Sequence, residues 1–349
     1  MPAQRRTPPE GHGGWAERLA ADPPRSDIPR EVPDFAEIRP RGRRGPSVSR
    51  MQLRIGTRSS PMALAQARLV AALLSGQPLE PTIVPLSTSG DRWGGSLARL
   101  GGKGAFVKEL DRAQLDGEVD LVVHCLKDIP GDVPLPDGLT IAAYLPRDDV
   151  HDCVVGARLA DLPAGARVGT SSVRRAAQLR RRHPGLTPVP IRGSANGRLA
   201  KLDAGDFDAL ILAVAGLERI GEQRRVAQIL TTTQMLPAIG AGVLALQCRV
   251  DDAATLAAAR ALDDASTRAC VTAERALLRE LRGHCHSPIA AHCTDSDTGL
   301  TLHAAVYSAD GADLLEATDH GSEPDKLGVA VAGELLAKGA RTLIDEIPH

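Results

Sequence analysis

The sequence predicts an α/β protein: two similar sheet-and-helix domains facing a central cleft, followed by a small C-terminal α+β domain. Three observations carry this expectation. From Leu53 onward, short apolar runs alternate with stretches of helical periodicity, the pattern of βα units. The segment RIGTRSS and its ALAQ helix (54–66) is echoed by RVGTSS and its RAAQ helix (167–178). A second echo follows in the same order, LDGEVDLVVHCL (115–126) against LDAGDFDALILAV (202–214), which points to a repeated architecture.

Residues 1–50 are rich in Pro, Gly and Arg, lack sustained periodicity and are expected to be disordered. Their arginines hint at a targeting peptide, but the acidic residues of DFAEI and the missing apolar face speak against one. Met51 stands directly ahead of the first strand-like run, so the upstream segment reads as a tail or a misassigned start. LRIG (53–56) reads as a strand and PMALAQARLVAALL (61–74) as a helix with Pro61 in its first turn. VVHCLKDIP (122–130) reads as a buried strand that delivers Lys127 and Asp128 at its end, where Pro130 stops regular structure. ARVG (166–169) and VRRAAQLRRR (173–182) repeat the strand and helix. Region 263–349 opens with a helix, continues through the hairpin-like TLHAAVYSADGADLLEAT and closes on a helix.

Composition narrows the function. The 349 residues suffice for two or three domains. Aromatic residues make up only 2% of the chain, so Leu, Val, Ile and Ala must fill the core, and few rings remain for stacking single-stranded bases. The 42 Lys and Arg against 43 Asp and Glu leave no overall basic footprint for nucleic acid. Cys125, Cys153, Cys248, Cys270, Cys285 and Cys293 form no C-x-x-C pair and follow no secretory leader, which suggests free thiols in a reducing cytoplasm. No apolar run approaches the roughly 18 residues of a membrane span. The expectation is a soluble cytoplasmic protein, working as a monomer on a small molecule, with no nucleic-acid or membrane partner.

The stretch GTSSVRRAAQLRRRHPGL (169–186) carries five arginines in a nearly neutral chain. Ligands of open α/β sheets bind beyond the carboxyl ends of strands, where helix N-termini offer free N–H groups to anions. Both Ser-bearing loops fit: Arg58, Ser59 and Ser60 in one; Thr170, Ser171, Ser172, Arg174 and Arg175 in the other. Arginine in a helix's first turn opposes the macrodipole, so Arg174 and Arg175 call for an anion, whereas Arg180, Arg181 and Arg182 at the far end read as a solvated terminus. Arg192, Arg198 and Arg219 follow other strand ends. Lys127 and Asp128 admit two readings, a plain salt bridge or a catalytic carboxylate kept ionised by the arginines. The run RGHCHSPIAAHC (282–293) leaves three readings open for Cys285: a structural thiol, a covalent attachment point, or a zinc site built from His284, His286, His292 and Cys293.

Taken together, IGTRSSPMALAQA, GGKGAFVKELD, VVHCLKDIP, VGTSSVRRAAQLRRRHP, RLAKLDAGDFDALILAVAGLERIG, LPAIGAGVLALQCR and TAERALLRELRGHC make the chain resemble the porphobilinogen deaminase (hydroxymethylbilane synthase) family from about Leu53 to the C-terminus. The resemblance implies two periplasmic-binding-protein-like α/β domains, 51–146 plus 241–262 and 147–240, and a small third domain, 263–349. It implies a transferase of haem and porphyrin biosynthesis that joins four porphobilinogen units into hydroxymethylbilane, releasing ammonia at each step. It further implies a dipyrromethane cofactor thioether-linked to Cys285, with Lys127, Arg174, Arg175, Ser172 and Ser60 around it. By the same likeness, Asp128 is the catalytic aspartate that contacts pyrrole N–H groups and stabilises the azafulvenium-like cation; Arg58, Arg192, Arg198 and Arg219 hold substrate carboxylates; and Lys103 lies in a mobile segment over the cleft. Departures from the family's usual residues include His284, His286 and Ser287 around Cys285, the SANG loop (194–197), and Ala241, Cys125 and His151. Two alternatives come from other classes: a non-catalytic binder of small carboxylates, and a zinc enzyme using the 284–293 cluster.

Overall fold

The structure, a computed structural model, describes residues 51–92, 104–283 and 286–347. The N-terminal 50 residues, Lys103, His284 and Cys285 lie outside the described residues. The first stretch of chain forms β1 (Met51–Arg58), α1 (Pro61–Leu74), β2 (Leu79–Leu86), α2 (Ser89–Arg92), α3 (Lys108–Leu115), β3 (Leu121–Cys125) and β4 (Leu139–Tyr144). A second set follows: β5 (Asp152–Val155), β6 (Arg167–Gly169), α4 (Val173–Arg182), β7 (Thr187–Val189), α5 (Ala195–Asp203), β8 (Ala209–Ala213), α6 (Val214–Arg219) and β9 (Val226–Leu230). The remainder comprises β10 (Leu244–Arg249), α7 (Ala253–Arg260), α8 (Ala265–Glu280), β11 (Ile289–Ser296), β12 (Gly299–Tyr307), β13 (Leu314–Gly321), α9 (Pro324–Ala337) and α10 (Ala340–Asp345).

The echoes in the sequence correspond to a repeated topology. One sheet runs β2-β1-β3-β10-β4 and the other β7-β6-β8-β5-β9. In each, three parallel strands are followed by an antiparallel one, β10 or β5, and the chain crosses between the sheets twice, from β4 to β5 and from β9 back to β10. The first echo places β1 and β6 at the same sheet position; the second does so for β3 and β8. Gly56 and Gly169 close the two RxG motifs for one reason. A Cβ at Gly56 would come within 2.9 Å of the Val119 side chain, and one at Gly169 within 2.5 Å of Leu210, so both strands pass too close to a neighbour for a side chain.

The helices after these strands start where the serines place them. Ser60 accepts a hydrogen bond from the Ala63 amide, Ser172 from the Arg175 amide and Ser194 from the Gly197 amide, each satisfying one free N–H of a first turn. Leu53 and Ile55 of β1 pack with Val123 and Leu246 under α1, while Val168, Leu179 and Ile211 form the corresponding core of the second sheet.

The C-terminal region differs from expectation by one strand. β11 precedes the anticipated hairpin and makes a three-stranded antiparallel sheet, β11-β12-β13, covered by α8 and α9. Its buried run of Ile289, Ala290 and Ala291 shows no alternation, so the period-2 signal is missing. The triple-arginine end of α4 also differs from expectation. Arg180 donates to the carbonyl of Ala309 at 2.7 Å and Arg181 to that of Ala312 at 2.8 Å, so both hold the β12–β13 turn.

Arg147 joins the two crossovers to the C-terminal region. Its Nε donates to the Ala241 carbonyl at 3.1 Å, and its guanidinium meets both oxygens of Glu274 at 2.8 Å. Glu274, fully buried, also accepts from the amides of Gly240 (2.8 Å) and Cys293 (2.9 Å), so the charge is satisfied on every side. Among the described residues, no helix is long and apolar enough to cross a membrane.

Candidate active site

β1 and β3 are adjacent parallel strands, with Ile55 opposite Leu121 and Gly56 opposite Val122, so their carboxyl ends emerge side by side. Arg58 ends the first. After the second, a single 3-10 turn, Leu126–Asp128, projects Lys127 and Asp128. An Arg58 Nη1 lies 3.9 Å from Asp128 Oδ2, near enough for charge attraction and too far for a hydrogen bond. The Asp128 side chain is 35% exposed and makes no hydrogen bond among the described residues, so both oxygens can take donors from a ligand.

Arg58 is anchored elsewhere. It forks onto Asp91, with Nε 3.2 Å from Oδ2, and stacks 4.1 Å from the centre of the Phe106 ring. Thr88 donates its hydroxyl to Asp91 at 2.8 Å. Burial works against the Arg58 charge, but Asp91 and Asp128 outweigh it and raise its pKa. Behind this corner, His124 is buried, and its Nε2 has no hydrogen-bond partner among the described residues. Burial, helped by Arg58, pushes its imidazole down to about 4. Cys125 is half-buried and receives a hydrogen bond from Gln66 at 3.0 Å; burial pushes its thiol up.

The second strand end has a different character. Arg174 and Arg175, in the first turn of α4, converge on the buried carboxylate of Asp152 at 2.7 and 2.6 Å. The anion that the helix dipole calls for is therefore already supplied from within the fold. Burial alone would raise the Asp152 carboxyl, yet the two guanidiniums hold it well below the usual carboxylate range. Arg174 also donates to the Leu236 carbonyl at 2.5 Å and Arg175 to that of Ile211 at 3.1 Å. Arg198 donates its Nε to Gly193 O at 2.9 Å; burial and the like charges of Arg175 and Arg192 push it down to about 10. Arg192 is lowered by burial. Arg219 pairs with Asp148 across the crossover.

Two features open this arginine set to a ligand. The Nε atoms of Arg174, Arg175, Arg192 and Arg219 are buried without an acceptor among the described residues. A small cavity of about 80 Å³ is lined by Lys127 from the first strand end, Ser172 and Arg174 from the second, and Ser287, two residues past Cys285 in sequence. The imidazole of His286, the adjoining residue, is lowered by burial and by the charge of Arg192.

Of the residues singled out in the sequence, Arg58, Lys127 and Asp128 form one group and Ser172, Arg174, Arg175, Arg192 and Arg198 the other. Ser60 and Ser172 both serve as helix caps. Cys293 is buried in the C-terminal core, and His292, its neighbour along β11, faces the opposite side of the sheet, so the two do not converge on one ion. Sequence reasoning missed the internal anions Asp91, Asp148 and Asp152 and the ring of Phe106. Only Asp152 had a signal, an acidic residue opening the apolar strand DCVV.

Fold and site together define a class: a two-sheet α/β protein whose facing strand ends present guanidiniums around one accessible carboxylate. Comparison narrows the class. A family model described as "Porphobilinogen deaminase, dipyromethane cofactor binding domain" matches residues 53–257, and "Porphobilinogen deaminase, C-terminal domain" matches 268–337. The chain is 52% identical over 305 residues to Porphobilinogen deaminase 2 of Streptomyces coelicolor, covering 85% of this chain and 97% of the relative. It is 47% identical over 303 residues to Porphobilinogen deaminase of Xanthomonas euvesicatoria, covering 84% and 99%. A solved periplasmic VFT2 domain of Bordetella pertussis BvgS aligns at a TM-score of 0.35 with 15% identity, over 60% of this chain and 85% of that one. The chain belongs to the porphobilinogen deaminase family. Its activity is that of a transferase of tetrapyrrole biosynthesis, hydroxymethylbilane synthesis, and its larger matched region is a dipyrromethane-binding domain.

Proposed function

We propose that porphobilinogen is deaminated beside Asp128 and that the growing chain is held through its carboxylates by Arg58, Arg174, Arg175, Arg192, Arg198 and Arg219, with Lys127, Ser60, Ser172 and Lys103 alongside. The observation that carries this reading is the cavity shared by Lys127, Ser172, Arg174 and Ser287, because it joins the aspartate's strand end, the arginine pair and a residue two positions past Cys285 in sequence. The buried donors without acceptors suit a group rich in carboxylates. Dipyrromethane, attached through Cys285, would supply the pyrrole end onto which new units are joined. Arg174, Arg175, Lys127 and Ser172 would hold it.

The chain's own residues account for the electrostatics. Deamination leaves positive charge on a pyrrole as ammonia departs, and a carboxylate fixed beforehand stabilises that charge without reorganising. Asp128 fits this role because Arg58 attracts it from 3.9 Å without occupying its oxygens, which stay available to pyrrole N–H groups. Arg58 is itself held by Asp91 and Phe106, so the carboxylate's neighbour does not wander. The like charges of Arg192 and Arg198 repel each other, and acetate or propionate groups would relieve that repulsion.

The same reading takes the working unit as a cytoplasmic monomer with domains at 51–146 plus 241–262, 147–240 and 263–349. Intact-mass spectrometry tests the central point. Protein from a porphobilinogen-supplied host should carry an adduct of two pyrrole units that persists in Asp128→Asn and disappears in Cys285→Ala. Wild-type protein lacking any adduct would overturn the assignment.

A further inference from the structure

A second cavity, of about 270 Å³, opens on the second sheet's domain away from the arginine cleft. Its floor is apolar: Leu159, Leu179, Leu230 and Met235 are all buried. Its polar groups are donors. Gln228 spends its carbonyl oxygen on the Leu159 amide at 3.0 Å, and Gln234 spends its own on the Thr231 amide at 3.0 Å, which leaves two NH₂ groups. Arg158 and Arg182 line the same cavity, and neither has an ion pair or side-chain hydrogen bond among the described residues. His183 completes the rim, and no acidic residue lines the cavity. The dipole at the end of α4 accounts for Arg182. It does not account for Arg158, which arrives from a separate segment, ahead of the 3-10 turn Leu159–Asp161.

Two unpaired guanidiniums and two spare amide donors above a hydrophobic floor match an acceptor-rich head on an apolar body. We propose that this cavity binds a compact organic anion, a carboxylate or phosphate group on a small apolar skeleton, at a site separate from the cleft. The site is one side chain away from the cleft, since Gln178, which lines it, and Arg174 share the Leu236 carbonyl as acceptor, at 3.1 and 2.5 Å.

Two methionines allow a direct test. Met235 forms part of the cavity floor, whereas the Met62 methyl of α1 lies against Gly216 of α6, away from it. Full-length protein carrying ¹³C-methyl methionine would be titrated with phenyl phosphate and, separately, with benzoate. A saturable shift of Met235 at concentrations that leave Met62 unmoved is expected, and the probe that binds more tightly identifies the head group. Arg158→Gln with Arg182→Gln should weaken binding about ten- to a hundred-fold, the scale of losing charged hydrogen bonds, with porphobilinogen turnover unchanged. Arg158→Gln alone, at an exposed position, is the control should the double variant fold poorly. No Met235 shift at millimolar probe, a shift undiminished in both variants, or Met62 and Met235 moving together with one affinity would each overturn the site.

Discussion

The two strand ends that face the cleft occupy equivalent places in equivalent sheets, yet one is open and the other sealed. At the first, the side chains of Arg58 and Asp128 are 24% and 35% exposed and stand 3.9 Å apart. At the second, those of Arg174, Arg175 and Asp152 are 6%, 11% and 4% exposed and in direct contact. A repeated topology has thus been put to two electrostatic uses. A loose, solvated carboxylate can exchange partners and so take part in chemistry. A buried carboxylate locked between two guanidiniums fixes their direction instead, with each Nε left without a partner among the described residues.

The largest effect that would break this contrast is at the sealed end. Asp152→Ala leaves two buried guanidiniums without their counter-ion and should cost about 3–5 kcal/mol of stability, read by denaturant unfolding. The depressed carboxyl also sets a pH dependence. Its contribution is complete above the ordinary value of 3.8 and is lost progressively as pH falls from there through the lower folded-state value, so Asp152→Asn should flatten the acid limb of the unfolding profile. At the open end the loss should be kinetic. Asp128→Asn should lower turnover by roughly 10²–10³ with an unchanged thermal midpoint, the scale of removing one preorganised electrostatic group. Equal damage to stability at both aspartates would erase the distinction.

A smaller effect sharpens the picture behind the open site. His124 has its folded pKa pushed down to about 4 from 6.5, so between those values the unfolded chain binds the proton that the folded one refuses. Stability should be full above pH 6.5 and decline as pH falls toward 4. The difference in thermal midpoint between pH 7 and pH 5 should shrink in His124→Asn. Smallest of all, Arg180→Ala removes one exposed hydrogen bond to Ala309 and should cost about 1 kcal/mol or less while sparing turnover. A turnover loss there comparable to that at Asp128 would mean the cleft has been placed on the wrong face.

Much of the fold was legible because local signals repeat. The RxG strands, Pro61 in a first helical turn and the two LD-turn-strand echoes each state a short-range rule, and the structure obeys all of them. β11 was hidden because its small apolar residues carry no alternation, and its His and Cys residues suggested chemistry in place of a strand. The arginines of the site were visible as misfits, Arg174 and Arg175 at the wrong end of a dipole. Their partner was not. Asp152 lies 22 residues before Arg174 in sequence, on β5, with the whole of β6 between them in the chain.

The sequence by itself determined the βα order, the helix starts and the duplicated halves, because all of these follow from contacts within a few residues. Only the tertiary structure decided which arginines are already neutralised, that Arg180 and Arg181 clasp a distant turn, and that Glu274 ties Arg147 to both crossovers. Charges act through space. Their partners are chosen by how strands cross and close, which no local spacing records.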